Sequence, residues 1–219
     1  MVDLIHGITA ERVAHNLERV RERIAATGRD PAEVEILAAV KYLPADELEA
    51  LADGGVTVVG ENRAQELAAK ADALPGRFTW DFIGQLQSRK VRDVLPYVRY
   101  IHAVATDSVL AQLERHGTPD TAVMIEVNVA AEPGKGGILP PELPAFLARC
   151  PVTVVGLMTM PPLAARPDDN RPYFAALRGL AEEHGLRHLS MGTSQDYVAA
   201  VQEGATIVRL GTILYAGAP

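Results

Sequence analysis

Cys150 is the single cysteine in 219 residues, so the chain cannot close a disulfide on itself. It stands just before an apolar run and reads as a small hydrophobe near a strand start rather than a nucleophile. No cluster of cysteine and histidine has zinc-ligand spacing. His6, His15, His102, His116, His184 and His188 are scattered, and no histidine is paired by sequence with a nucleophile and an acid. They read as structural or solvent-facing. Aromatics make up only 5% of residues against 48% hydrophobic in total. Such an interior, built from Ala, Val, Leu and Ile, fits helices packed over a buried sheet better than an aromatic-rich sandwich. Positive charge is also in deficit. A net charge of −7 argues against a nucleic-acid or anionic-membrane surface, although local backbone N–H groups still let an acidic protein hold a phosphate. No stretch approaches the roughly 18 uninterrupted apolar residues of a membrane span. The first residues lack a basic segment followed by an apolar core, so no secretory signal is expected and a cytoplasmic location is.

What is present is a regular alternation. Residues 8–27 read as an amphipathic opening helix with Val13, Leu17, Val20 and Ile24 at three- and four-residue intervals, Thr9 as its cap and Gly28 at its end. Eight short apolar runs follow, at 34–40, 56–60, 80–84, 100–104, 122–129, 152–158, 188–191 and 206–210. Helix candidates begin near Pro44, Arg63, Ser88, Asp107, Pro141, Asn170 and Ser194, with a weaker one after Gly211. Most runs are continuous rather than alternating, as expected of parallel strands covered on both faces. Eight strands with intervening helices predict a single (β/α)8 barrel over residues 1–219, with an extra N-terminal helix. A doubly wound open sheet is the competing arrangement. The Pro- and Asp-rich segment 160–170 reads as a surface loop after the sixth strand, and as the best candidate for a mobile one.

Functional groups of such barrels collect where strands end. Lys41 follows a run, 36–40, that carries no charge. Partial desolvation there disfavours an ammonium and favours a nucleophilic amine able to form imines with aldehydes. On position alone, though, a strand-end lysine snorkels to solvent more readily than it reacts. Two turns then suggest an anion site. In 190–197 (SMGTSQDY), Gly192 permits a tight turn, and Thr193 and Ser194 precede a helix, where hydroxyls and free N–H groups gather. In 208–212 (VRLGT), Arg209 interrupts an apolar strand and needs a partner, Gly211 allows close backbone approach, and Thr212 adds a hydroxyl. Adjacent anion-binding turns after the seventh and eighth strands match the usual phosphate position of these barrels. The loop 132–137 (EPGKGG) lacks phosphate-loop spacing and reads as a flexible loop with a solvated lysine. Glu61 and Glu126 are the only inviting acids at strand ends, and Glu126 is expected to point elsewhere.

Seven ordered stretches resemble the pyridoxal phosphate homeostasis proteins, single-domain relatives of the alanine racemase N-terminal domain. They are LAAVKYLP (37–44), VVGENRAQEL (58–67), WDFIGQLQSRK (80–90), EVNVAAEPGKGGI (126–138), GLMTM (156–160), LSMGTSQD (189–196) and VRLGTILYAG (208–217). The resemblance implies a fold-type III barrel carrying pyridoxal 5′-phosphate (PLP) as a Schiff base on Lys41. It implies that Ser194, Gly211 and Thr212 hold the phosphate, that Arg209 faces the pyridine nitrogen, and that Asn62 lines the pocket. An arginine at that nitrogen disfavours a pyridinium and weakens the ring as an electron sink, which suits a carrier. The chain departs from the family pattern at Val40, Arg89 and Thr193, and at Gly136 in the loop; none of these removes an implied PLP-binding group.

The resemblance thus implies a protein that buffers or delivers PLP in vitamin B6 homeostasis, with apo-enzymes that require PLP as recipients and a monomeric state expected. An amino-acid racemase of low activity is the alternative. Racemisation needs an acid/base group on each face of the substrate carbon, and the chain leaves no room for the second, all-β domain from which racemases take the opposing tyrosine. A phosphate-binding barrel isomerase with a carboxylate base is a third reading.

Overall fold

The structure, a computed structural model, describes residues 4–163 and 166–215. Eight parallel strands close on themselves in sequence order: β1 Glu35–Ala39, β2 Val58–Glu61, β3 Thr79–Phe82, β4 Val98–Val104, β5 Ala122–Glu126, β6 Thr153–Met158, β7 His188–Thr193 and β8 Ile207–Leu210. The closing pair sets Leu37 of β1 against Arg209 of β8. The open-sheet alternative is excluded by that pair. Helices lie between the strands: α2 Leu48–Asp53, α3 Ala64–Ala73, α4 Val91–Val94, α5 Asp107–His116, α6 Leu143–Arg149, α7 Arg171–Glu183 and α8 Tyr197–Gln202, with α9 Thr212–Tyr215 after β8.

The extra N-terminal helix is α1, Ala10–Ala25. Thr9 caps it by accepting the Arg12 N–H at 3.3 Å, and Val13, Leu17, Val20 and Ile24 form its buried stripe. Its end is a left-handed residue at Gly28, φ +85°, as the sequence suggested. Each predicted strand is present, with ends shifted by one to three residues at most positions.

The continuous apolar runs make sense once both faces of the sheet are followed. One face packs against the helices in a large apolar core. The other encloses a smaller cluster within the barrel, formed by Leu37, Val58, Ala103, Met124, Met158 and Ile207. Polar residues share that interior: Asp81, His102, Ser190 and Arg209 are all buried. Strand packing is tight where β6 meets β7, because a Cβ on Gly156 would fall 2.1 Å from the His188 carbonyl oxygen. Backbone cannot give way there. Gly156→Ala is therefore expected to cost about 1–3 kcal/mol or more as an overpacked site, read as a lower urea midpoint with unchanged slope.

The described part of the segment 160–170 is mostly at the surface, as expected, with Leu163 strongly exposed and a short 3₁₀ turn at Pro167–Asn170 whose last residue is buried. Residues 164 and 165 of that loop, and 216–217 at the end of the last sequence motif, lie outside the described residues. Among the described residues no helix is long and apolar enough to cross a membrane.

Candidate functional site

A cavity of about 460 Å³ opens where the strands end, and Lys41, Asn62, Ser194, Arg209, Gly211 and Thr212 all line it. Six residues predicted from four separate places in the sequence therefore meet around one space.

Lys41 lies two residues past β1, in a turn, and its side chain is exposed. The expected desolvation is absent, because the strand ends at Ala39 and the chain is already leaving the barrel. Its amine stands 4.6 Å above the Tyr42 ring, an arrangement that favours a cation over the aromatic face. The backbone beneath it is fixed from both sides. Tyr215 Oη donates to the Ala39 carbonyl at 2.9 Å, and Lys70 Nζ donates to the Val40 carbonyl at 2.9 Å. Lys70 is itself buried in an ion pair with Glu61 at 2.5 Å. The other Glu61 oxygen accepts the N–H groups of Asn62 and Arg63 at 2.6 and 3.1 Å. Glu61 is thus spent on structure and leaves the cavity to other acids. Asn62 lines the cavity, and its side-chain oxygen is a buried acceptor without a partner among the described residues.

The turn after β7 differs from the sequence reading in one respect. Helix α8 starts at Tyr197, three residues later than predicted from Ser194. The reason is Asp196, whose Oδ1 takes both the N–H and the hydroxyl of Thr193, at 2.7 and 3.0 Å, and whose own N–H donates to the Thr193 carbonyl at 3.1 Å, so that residues 193–196 close into a turn first. Gly192 permits the bend at φ +91°. Thr193 is therefore spoken for. Ser194 Oγ accepts the Gly211 N–H at 3.1 Å, which joins the two predicted turns and leaves the Ser194 hydroxyl proton free to donate. The N–H groups of Gln195 and Thr212, both cavity residues, have no protein acceptor among the described residues.

Arg209 forms the buried side of the site. Its Nη1 donates to the carbonyl and hydroxyl oxygens of Ser190 at 2.7 and 2.6 Å, and its Nη2 to the Thr159 carbonyl at 2.9 Å and to Met160 Sδ. Those acceptors are neutral. Burial pushes its pKa down to about 10, with Glu126 and Asp196 acting against the shift, so the guanidinium keeps its charge at neutral pH. Below it lies an arrangement that the scattered histidines did not announce. His102 contacts Ser190 Oγ through Nδ1 at 2.9 Å and Asp81 Oδ2 through Nε2 at 3.1 Å. His102 is thus paired with a hydroxyl and an acid, inside the barrel.

Two further groups line the cavity against expectation. Glu126 points inward, and burial raises its pKa despite the opposing charges of Arg209 and Lys135. Strand alternation carries the signal for it: Met124 belongs to the barrel interior, and residue i+2 shares its face. Lys135 is half-buried rather than solvated; it lines the cavity and pairs with Glu132 at 2.9 Å. Gly136 and Gly137 bring that loop against Gln85, Glu126 and Asn128, where a Cβ would clash.

The sequence pattern described as the alanine racemase N-terminal domain matches residues 8–219. The chain is 38% identical to the pyridoxal phosphate homeostasis protein of Aquifex aeolicus, covering 94% of this chain and 96% of that one. Its fold is similar to PipY of Synechococcus elongatus solved with PLP bound, at a TM-score of 0.80 and 31% identity over 93% of this chain and all of that one. Alanine racemase of Corynebacterium glutamicum shares the fold at a TM-score of 0.71 and 16% identity, with 97% of this chain matching 62% of that one.

Proposed function

The chain belongs to the pyridoxal phosphate homeostasis proteins, a family built on the alanine racemase N-terminal domain, and from that premise we propose that its cavity binds PLP and that the protein buffers or delivers the cofactor. When bound, PLP supplies an aldehyde that condenses with a primary amine, and a ring whose absorbance reports the attachment. The observation that carries this reading is a convergence of complementary groups. An amine at Lys41, hydroxyls at Ser194 and Thr212, a buried cation at Arg209 and an acceptor at Asn62 that has no partner among the described residues line one cavity. PLP presents an aldehyde, a phosphate, a ring nitrogen and a hydroxyl to match them. The residues fit the group.

In this reading Lys41 is the anchoring amine. Ser194 and Thr212 bind the phosphate; the Gly211 N–H is spent on Ser194 Oγ, which leaves the Ser194 proton free to donate, and Gly211 serves by letting the backbone come close. Arg209 has five N–H donors. Its Nη1 and Nη2 contacts occupy four, so Nε–H remains for a single acceptor such as the ring nitrogen. A cation there discourages protonation of that nitrogen, and the ring withdraws electrons weakly as a result. That favours holding the cofactor over broad carbanion chemistry. A racemase would also present a second acid/base group across from Lys41. Tyr215 instead donates to the Ala39 carbonyl, and the Tyr42 ring lies under the Lys41 amine itself. We further read residues 1–219 as one PLP-binding barrel, monomeric and cytoplasmic, with PLP-requiring apo-enzymes as recipients.

The test is an absorbance spectrum of the protein with added PLP, before and after gel filtration. Retained absorbance near the visible edge, shifted by borohydride, supports the reading. A colourless protein that keeps no PLP sinks it and returns attention to Glu126 as the base of a sugar-phosphate isomerase. Ser194→Ala is expected to weaken PLP retention roughly tenfold, about one hydrogen bond to a charged group, while saturating PLP still attaches covalently.

A further inference from the structure

We infer that His102 is a positioning residue: from beneath the cavity, and through Ser190, it fixes the orientation of the Arg209 guanidinium. His102 is absent from the cavity lining and is wholly buried. What Arg209 touches rests on the PLP reading; how Arg209 is held does not.

A column of hydrogen bonds runs up the inside of the barrel. Arg99 pairs with Glu35 at 2.6 Å and with Asp81 at 2.6 Å. Asp81 meets His102 Nε2 at 3.1 Å, His102 Nδ1 meets Ser190 Oγ at 2.9 Å, and Ser190 Oγ meets Arg209 Nη1 at 2.6 Å. Donor counting allows this column one proton arrangement. A guanidinium only donates, so Ser190 Oγ accepts from Arg209. The single Ser190 proton then goes to His102, whose Nδ1 is the acceptor. The His102 proton sits on Nε2 and is donated to Asp81.

The surroundings favour that neutral tautomer. Burial pushes the His102 pKa down, with Arg209 and Arg99 adding to the effect of burial and Asp81 opposing it. Burial acts to raise Asp81, but hydrogen bonds from His102 and Arg99 outweigh it and keep the carboxyl ionised. An imidazolium would aim a second donor at Ser190 Oγ and leave the hydroxyl proton without an acceptor in a dry interior. By drawing the Ser190 proton toward itself, His102 turns the Ser190 lone pairs onto Arg209. The order Asp–His–Ser resembles a hydrolase relay, but Ser190 is fully buried and committed to Arg209, so its oxygen has no substrate to attack.

Nitrogen-15 spectra of the apo protein test the inference without PLP. The expected result is a His102 ring with Nδ1 bare and Nε2 protonated, and a sharp, exchange-protected Arg209 Nη–H signal. Asn places an acceptor near the position of Nδ1, whereas Gln keeps a donor near Nε2 and lacks that acceptor. His102→Asn should therefore keep the sharp Arg209 signal, and His102→Gln and Ser190→Ala should broaden it. PLP retention should fall roughly tenfold in the latter two, with no further fall in the double variant, because both break one link. A proton on Nδ1, an unchanged Arg209 signal in His102→Gln and Ser190→Ala, or additive losses would overturn the inference. If the His102 variants do not fold, the wild-type tautomer and Ser190→Ala decide it alone. A wild type that takes up no PLP defeats the cofactor reading, whereas the apo spectra judge the positioning.

Discussion

Lys41→Ala is expected to abolish covalent retention of PLP while changing unfolding stability by no more than about 0.5 kcal/mol, the range of exposed sites without special contacts. The two halves of that expectation come from different facts. The amine is the group that condenses with an aldehyde, and its loss leaves the joined turns of Ser194 and Gly211, proposed to hold the phosphate, intact. PLP then binds as a dissociable ligand and washes out on gel filtration. Stability is spared because the side chain is exposed and, among the described residues, its amine meets only the Tyr42 ring. The backbone at that point is held by Lys70 and Tyr215 through the carbonyls of Val40 and Ala39, which the substitution does not touch. Lys41→Arg sharpens the test, since it keeps the charge and the stacking while a guanidinium stays protonated and does not condense. Mass spectrometry after borohydride reduction should find a label on Lys41 in the wild type and none in either variant. A borohydride-stable label of equal yield in Lys41→Ala would remove Lys41 from its assigned role.

The barrel was legible because parallel strands covered on both faces must be apolar nearly throughout, and eight such runs stand out between helical segments. The two turns at the cavity were legible because glycine and hydroxyl residues mark them locally. What stayed hidden depends on contacts between distant residues. Asp81, His102 and Ser190 come from β3, β4 and β7, and no spacing in the sequence announces a column inside the barrel. Asp196 delays α8 by bonding back to Thr193, a competition between a side-chain turn and a helix start that the same residue types permit either way. Glu126 was legible in principle from the phase of Met124. It was misjudged because a carboxylate facing a barrel interior looks unfavourable until the charges of Arg209 and Lys135 are placed near it. Lys41 was assigned correctly to the cavity for a partly mistaken reason: it meets the site as an exposed amine beyond the strand and not as a desolvated one at its end.

Lys70→Ala is expected to be the most destabilising of these substitutions, by about 3–5 kcal/mol, because it strands a buried carboxylate. Lys70 and Glu61 are among the most buried charged residues of the chain, and their ion pair at 2.5 Å is reinforced by the Val40 carbonyl on one side and two backbone N–H groups on the other. Removing the ammonium leaves Glu61 with only the N–H groups of Asn62 and Arg63. At 2–4 °C per kcal/mol for a chain of this size, the melting temperature should fall by about 6–20 °C. The same change removes the donor to the Val40 carbonyl, one residue before Lys41. PLP retention should therefore weaken even at temperatures where the variant is fully folded, which a purely global loss of stability would not produce. Replacing both partners by apolar residues, Glu61→Leu with Lys70→Met, should recover part of the lost stability because no charge is left unpaired. Recovery stays incomplete, since Asn62 and Arg63 then lose the acceptor for their N–H groups. Calorimetry of the two variants beside PLP titrations at 20 °C separates these effects, and a Lys70→Ala protein melting within 2 °C of wild type would show that the pair does not hold this end of the barrel.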